Sequence, residues 1–182
     1  LSSGVMVPNQ MRVFTYNEDN LAATSLVTRY RSGQWENLNR FTYTYDESNR
    51  LIVYDREFWR NNAWTDFSAD SLFYNDLGWL TERSARSKVT GLFITRTLYQ
   101  YNMYGLKTLQ TRQDFINSMW VNVSRVNYYY NSCGIQTSSL TEKWLDGSWI
   151  QESSSEPFYT TEVIEGNRRF PVCHKGNTLF VR

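Results

Sequence analysis

The sequence is poor in the residues that mark most other protein classes. Its 182 residues contain one histidine, two cysteines and three prolines, and the formal net charge is +1. The single histidine, His174, excludes a multi-histidine metal cluster within the chain, and a surface role is favoured over a catalytic one. The near-neutral charge excludes the basic field by which proteins attract nucleic acid, so no nucleic-acid partner is expected.

Long apolar runs and helical periodicity are also missing. No segment is long and apolar enough for a transmembrane helix, and none keeps a 3.6-residue apolar period over the length of a helix. Residues 1–10 lack the charged start and apolar centre of a signal peptide, although a mature or truncated product would lack them too. We therefore predict an all-β protein without a membrane-spanning segment.

A tyrosine that recurs at intervals of 29, 29, 27, 29 and 29 residues is the strongest pattern present. The column consists of Tyr16, Tyr45, Tyr74, Tyr101, Tyr130 and Tyr159. Asn or Asp follows each of the first five tyrosines. Four residues after those tyrosines stand Asn20, Asn49, Gly78, Gly105 and Gly134. Gly and Asn enter the left-handed backbone region most cheaply, so this second column predicts a structural turn in every repeat.

A column of tryptophans lies ten residues before four of these tyrosines. Its members are Trp35, Trp64, Trp120 and Trp149, and the residues five positions before them are Tyr30, Trp59, Phe115 and Trp144. The dipeptide at the centre of each interval, such as Asn61-Asn62, suits a two-residue hairpin loop with positive φ. The flanking aromatics should then face each other as cross-strand pairs, each stabilising by about 0.2–1 kcal/mol.

The fourth repeat departs from this pattern. It is two residues short, and residues 89–92, Val-Thr-Gly-Leu, stand where the other repeats have an aromatic-flanked loop. We expect Thr90-Gly91 to close this hairpin, with Lys88 and Phe93 as its next pair, and the hairpin to be slightly shorter and less firmly closed.

Two strands per repeat give about eleven strands, and their short connections predict an antiparallel meander. The predicted strands are 12–16, 21–31, 34–45, 51–60, 63–74, 80–89, 92–101, 106–116, 119–130, 135–145 and 148–159. Strand twist accumulates across such a sheet, so we expect a twisted or coiled repeat sheet or a barrel-like shell. The predicted organisation is an N-terminal segment at 1–10, a β-hairpin repeat domain at 11–159 with five repeats and a degenerate sixth start, and a tail at 160–182.

Few side chains are candidates for catalysis or metal binding. Many acidic residues, such as Asp19 and Asp46, fall in turns, where a carboxylate accepts local backbone hydrogen bonds. A carboxylate pair for hydrolysis and a calcium site are the alternatives, but no Asp-x-Asp-x-Asp-Gly spacing occurs. We expect no catalytic residue, metal or cofactor. Cys133 and Cys173 form either a disulfide or two independent thiols.

The tryptophans allow two interpretations. They either clasp hairpins and pack repeats together, or form an exposed ladder that stacks on sugar rings. The candidate ligand-stacking residues are Trp35, Trp59, Trp64, Trp120, Trp144 and Trp149.

Two segments carry a family resemblance. Residues 43–51, Tyr-Thr-Tyr-Asp-Glu-Ser-Asn-Arg-Leu, and 128–135, Tyr-Tyr-Tyr-Asn-Ser-Cys-Gly-Ile, resemble the Tyr-Asp turn of YD/RHS-type repeats. With Trp35 and Trp120 included, the pattern over about 11–159 is similar to Trp-containing repeats of large secreted and surface proteins of Bacteroidetes. Residues 169–182 are similar to the opening strand of the C-terminal sorting domain of type IX secretion, without its usual Asn-Pro.

The resemblance implies an exported, non-catalytic β-repeat module at the bacterial outer cell surface or in the extracellular space. Its role would be structural, adhesive or in protein interaction, with a protein or glycan partner and a contact to the secretion machinery through the tail. A carbohydrate-binding module that uses exposed Trp and Tyr is the alternative. An accessory domain of a hydrolase is the third hypothesis.

Overall fold

The computed structural model describes residues 9–155 in full, and the backbone of 162–165, 168–175 and 178–181. The first eleven strands are hydrogen-bonded in chain order. They are β1 (Gln10–Tyr16), β2 (Ala22–Arg31), β3 (Gln34–Tyr45), β4 (Leu51–Arg60), β5 (Ala63–Tyr74), β6 (Leu80–Ser87), β7 (Phe93–Tyr101), β8 (Lys107–Ile116), β9 (Met119–Tyr130), β10 (Gln136–Leu145) and β11 (Ser148–Ser155). The predicted all-β antiparallel meander is confirmed.

The tail forms a second, three-stranded sheet that the sequence did not predict. Its strands are β12 (Glu162–Glu165), β13 (Arg168–Lys175) and β14 (Thr178–Val181). The chain as a whole divides into two compact units, 1–96 and 97–182, with the boundary inside β7. A single repeat domain over 11–159 stays a prediction. The described residues include no helix long and apolar enough to cross a membrane.

The turn after each described repeat tyrosine has one construction. In the second repeat, Asp46 O accepts a hydrogen bond from Asn49 N at 2.9 Å, and Asp46 N donates to Arg50 O at 2.9 Å. The Asp46 side chain accepts from Ser48 N and Arg50 N, both at 2.9 Å. The Asn or Asp of the column thus satisfies backbone donors inside the turn. The last loop residue has positive φ in all five turns: Asn20, Asn49, Gly78, Gly105 and Gly134.

The Trp-flanked hairpins use a different turn. Both loop residues have positive φ, between 49° and 83°, in the four hairpins. The loop pairs are Ser32-Gly33, Asn61-Asn62, Asn117-Ser118 and Asp146-Gly147. Two residues with positive φ make a type I′ turn, whose twist matches that of the flanking strands.

The hairpin of the fourth repeat corrects the sequence prediction. Strand β6 ends at Ser87 and β7 begins at Phe93, so the loop is longer than Thr90-Gly91. Ser87 O accepts from Gly91 N, and Ser87 N donates to Leu92 O, each at 2.9 Å. The β-branched Thr90 resists the positive φ that a type I′ turn would require there, and only Gly91 of this loop has one. The N–H of Lys88 donates instead to Phe67 O at 3.1 Å.

A β-bulge follows each Trp-flanked hairpin by three residues. The extra residue in the strand register is Leu38, Phe67, Val123 or Glu152. Side chains alternate between the two faces of a strand, and an inserted residue shifts that alternation by one. The bulge therefore puts the aromatics just before the repeat tyrosine, such as Tyr43, on the face opposite the tryptophan clasps.

Burial in this sheet is polar. Within 9–155 the buried residues are Ser25, Thr28, Ser68, Asp70, Ser84 and Glu142. Large apolar side chains on the strands stay open to solvent, with Phe73 52% exposed and Tyr129 48% exposed. Polar side chains therefore occupy the most enclosed positions of the described strands.

Candidate functional site

The repeat tyrosines connect each repeat to the one before it. The hydroxyl of Tyr45 donates to Ala22 O at 2.9 Å, Tyr74 to Leu51 O at 2.8 Å, and Tyr130 to Lys107 O at 2.7 Å. Each acceptor lies at the start of the preceding strand, next to the previous tyrosine turn. Burial raises the pKa of Tyr45, Tyr74, Tyr101 and Tyr130. These phenols are therefore part of the scaffold.

All six candidate ligand-stacking tryptophans lie in the hairpin clasps. The four aromatic pairs have ring centroids 4.9–5.4 Å apart and interplanar angles of 60–67°. They are Tyr30–Trp35, Trp59–Trp64, Phe115–Trp120 and Trp144–Trp149. Edge-to-face contacts of this kind are the arrangement that aromatic pairs favour. Trp35 is 43% exposed, whereas the other five are half-buried.

Two of these tryptophans each have one face covered by an arginine. The Arg40 guanidinium lies 4.8 Å from the Trp64 ring centroid and donates to Glu57 at 2.7 and 2.8 Å. The hydrogen bonds to Glu57 raise the pKa of Arg40. A guanidinium over the ring blocks that face against a sugar, so cation–π packing competes with ligand stacking at this position.

The same constellation recurs in the second unit. The Arg125 guanidinium lies 4.6 Å from the Trp149 centroid and donates to Glu142 at 2.6 and 3.0 Å. Asn127 adds a bond to Glu142 at 2.7 Å. The hydrogen bonds from Arg125 lower the pKa of Glu142. Ligand stacking by the tryptophans stays a prediction.

The opposite face of β1–β3 carries a network that we call the hydroxyl network: Arg12, Ser25 and Tyr43. Arg12 Nε and Nη2 donate to Ser25 Oγ at 3.1 and 3.0 Å, and Nη2 donates to the Tyr43 hydroxyl at 2.6 Å. Ser25 Oγ and the Tyr43 hydroxyl are 3.0 Å apart. Ser25 is only 1% exposed. Neutral oxygens thus hold the guanidinium in place.

A second network, the carboxylate network, lies on the same face of β4–β6: Tyr54, Asp70 and Arg83. Arg83 Nε donates to Asp70 Oδ2 at 2.8 Å and Nη2 donates to the same oxygen at 2.5 Å. The Tyr54 hydroxyl donates to Asp70 and accepts from Arg83. Asp70 is 6% exposed. Burial raises the pKa of Asp70, and the positive charge of Arg56 offsets part of this shift.

An open depression of ≈ 310 Å³ lies between these networks. It is lined by Arg12, Phe41, Tyr43, Leu51, Tyr54 and Arg56. The Phe41 ring is flanked by two guanidinium groups, with Arg12 at 4.8 Å and Arg56 at 5.3 Å from its centroid. The depression therefore combines two cations with an aromatic and aliphatic wall.

Carboxylates on the face that carries the tryptophan pairs form ion pairs with basic side chains. Lys88 Nζ lies 2.7 Å from Asp66 and 3.7 Å from Asp55. The hydrogen bond to Asp66 raises the pKa of Lys88. In the turn, Asp46 pairs with Arg50 at 2.7 Å, and backbone hydrogen bonds from Arg50 lower the pKa of Asp46. Among the described residues no group of three or more His, Cys, Asp or Glu is placed to hold a metal ion.

Two of the sequence-based predictions involve residues of the tail. Cys133, in the turn after Tyr130, is disulfide-bonded, while the side chains of Cys173 and His174 lie outside the described residues. The likeness of 169–182 to a sorting domain also rests on side chains outside that part, and nothing in the structure supports it.

No protein-family model and no curated protein matches the sequence. Solved structures that match the chain include a protein of unknown function from Bacteroides fragilis, with 12% identity and a TM-score of 0.39 over 82% of this chain and 92% of that chain. A DUF3836 family protein from Bacteroides vulgatus has 12% identity and a TM-score of 0.36 over 64% of this chain and 92% of that one. The Tc holotoxin pore of Photorhabdus luminescens has 12% identity and a TM-score of 0.26, over 92% of this chain and 12% of that chain.

The residues of the two networks were missed in the sequence. Arg12, Ser25 and Tyr43 are 13 and 18 positions apart, and their partners come from neighbouring strands. Their only signal is a polar or charged residue at mid-strand with an aromatic opposite, as Ser25 faces Phe41 in the β2–β3 register. That signal needs the bulge register before it can be used.

Proposed function

We propose that the chain is an exported, non-catalytic β-repeat module of a bacterial cell-surface or secreted protein, with a structural, adhesive or protein-interaction role. One observation carries the proposal. The buried residues of the described strands are polar, whereas large apolar side chains remain exposed along them. Soluble monomers rarely leave large contiguous apolar surface open, and such surface marks contact with another protein.

The ion pairs support the non-catalytic part of the proposal. Hydrolysis of a glycosidic bond needs two carboxylates facing each other across a cleft, about 5–10 Å apart and free to exchange protons. Glu57, Asp70 and Glu142 each lie against an arginine instead. Incubation with a panel of polysaccharides should release no reducing ends, and release by the purified protein would contradict this part.

The interaction role is tested by hydroxyl-radical footprinting of the protein on the cells that produce it and after purification. We expect strand residues Phe73 and Tyr129 to react several-fold less on cells, because a partner covers them. Loop residues Val89 and Leu92, 73% and 62% exposed, serve as the internal control and should react alike in both samples. Equal reactivity of the strand residues in the two samples would refute a covering partner.

Export is tested separately by a membrane-impermeant amine reagent. Lys143, whose side chain is 62% exposed, should be modified on intact cells, while a cytoplasmic protein of the same cells stays unmodified. Modification only after lysis would overturn the proposed localisation.

Glycan binding is the second candidate, favoured by the exposed Tyr30–Trp35 clasp. Trp35 is the tryptophan of the described residues that is most open to a ring-stacking ligand. Tryptophan fluorescence should shift on titration with a neutral polysaccharide, and Trp35→Phe should remove the shift. An unchanged spectrum across the panel would leave the clasp with its structural role alone.

A further inference from the structure

The depression between the two networks carries the positive charge of two arginines. Arg12 is bonded only to the hydroxyls of Ser25 and Tyr43, and Arg56 forms no ion pair within the described residues. The nearby carboxylate, Asp70, is already bonded to Arg83 and Tyr54. Both guanidinium groups lie near the Phe41 ring, and an anion bound in the depression would offset their positive charge.

Aromatic rings lie close to both guanidinium groups. Arg12 lies 5.0 Å from the Phe14 centroid and 4.8 Å from that of Phe41. Arg56 lies 5.3 Å from Phe41 and 6.0 Å from Phe67. A planar guanidinium held against aromatic rings loses little freedom when it binds, and its N–H edge matches the two oxygens of a carboxylate.

Hydrogen bonding is also incomplete at Arg56. Its Nε is buried and has no hydrogen-bond partner among the described residues. Arg56 is therefore positioned by its ring contacts rather than by acceptors of the protein. The contact of Arg56 with a ligand would therefore use its terminal nitrogens, since the side chain lines the depression.

The walls distinguish a sugar from a peptide. An extended peptide gains most of its affinity by adding to a free sheet edge, but the depression is on a sheet face, where the backbone of β2–β4 is consumed by strand pairing. A ligand there is recognised by side chains alone. Leu51 and the rings of Tyr43 and Tyr54 offer an apolar surface to the C–H face of a pyranose.

We propose that this depression binds a uronate residue of an acidic polysaccharide. Arg12 and Arg56 hold the carboxylate, and Leu51, Tyr43 and Tyr54 pack against the ring. The site is on the face opposite the tryptophan clasps and does not depend on a covering protein partner. Its failure and that of the proposed interaction role are therefore separate: footprinting tests the latter, and direct binding tests the uronate site.

The experiment is calorimetric titration of the purified chain with trigalacturonate at low salt. We expect binding that Arg12→Met and Arg56→Met each weaken at least tenfold, whereas Arg31→Met, the same charge change at an exposed hairpin residue, leaves it unchanged. Maltotriose, a neutral trisaccharide, should not bind, and added salt should weaken the trigalacturonate complex. No binding of trigalacturonate, or equal binding by all three variants, would overturn the proposal.

A fourth variant separates charge from shape. Ser25→Asp puts a carboxylate beside Arg12, as Asp70 stands beside Arg83, and should weaken trigalacturonate binding at least tenfold although Arg12 and its rings remain. Circular dichroism and urea unfolding establish which variants fold. If Ser25→Asp does not fold, Arg12→Met and Arg56→Met decide the question. Hexaglutamate is titrated in parallel, and binding as tight as that of trigalacturonate would refute the sugar and assign the site to acidic protein segments.

Discussion

The hydroxyl network and the carboxylate network share one arrangement of side chains but differ in the central residue. Each joins an arginine and a tyrosine on one face of three consecutive strands, and each centres on a nearly solvent-free residue, Ser25 at 1% and Asp70 at 6% exposure. They differ in the central group. Asp70 cancels the charge of Arg83, whereas Ser25 orients Arg12 and leaves its charge intact.

Orientation and neutralisation of an arginine are therefore separable. Hydrogen bonds that a guanidinium donates to neutral hydroxyls orient it as those to a carboxylate do, at a smaller gain in energy. The carboxylate network therefore serves stability. The hydroxyl network forgoes part of that stability and keeps a cation at the wall of a depression, where a ligand can reach it.

The largest contrast should come from removing the arginines. Arg83→Met leaves the Asp70 carboxylate buried without its partner and should lower the free energy of unfolding by about 2 kcal/mol, less than a fully buried pair would because the Arg83 side chain is 44% exposed. Arg12→Met should cost less than about 1 kcal/mol, because Ser25 and Tyr43 still bond to each other. Urea unfolding measures both variants.

A double variant is the control. Asp70→Asn removes the buried charge that Arg83→Met leaves without a partner. Arg83→Met should therefore lower the free energy of unfolding clearly less in the Asp70→Asn background than in the wild type. Losses that are the same for Arg12→Met and Arg83→Met would show that the central group does not set the energy of either network.

The turns and clasps could be predicted from the sequence because their causes are local. Positive φ demands Gly or Asn at Gly134 and Asn49, and a two-residue loop fixes the Trp59–Trp64 register without reference to the rest of the chain. The prediction that Thr90-Gly91 closes a two-residue hairpin is wrong, and the reason is also local. The β-branched Thr90 occupies the place where a type I′ loop needs positive φ, and Gly91 beside it cannot supply both loop residues.

The networks could not be predicted because their cause is the register of several strands together. A bulge at Leu38 and another at Phe67 decide which residues of β3 and β5 share a face with Ser25 and Tyr54. Each bulge adds one residue to one strand, and an error of one residue moves every side chain to the opposite face. The repeat spacing contains the bulge residue but does not reveal it.

Removing the tyrosine hydroxyls should give an intermediate contrast. Tyr54→Phe deletes a hydrogen bond to a carboxylate and should cost about 1.5 kcal/mol, whereas Tyr43→Phe deletes one to a serine and should cost about 0.5 kcal/mol. Both variants keep the ring contact between the two residues, whose centroids are 6.5 Å apart. The difference in urea midpoint therefore reports the hydroxyls, and a larger loss for Tyr43→Phe would reverse our ranking of the networks.

The smallest effect is the response to pH, which only the carboxylate network should show. Burial raises the pKa of Asp70 in the folded protein, so the fold binds this proton more tightly than the unfolded chain. The stabilisation is complete below the unfolded pKa and is lost as the pH rises through the folded one. The unfolding free energy of the wild type, relative to Asp70→Asn, should therefore increase as the pH falls towards about 4. Ser25→Ala should follow the wild type across this range. A relative decrease on acidification would mean that the contact with Arg83 outweighs burial and that Asp70 titrates below its ordinary range.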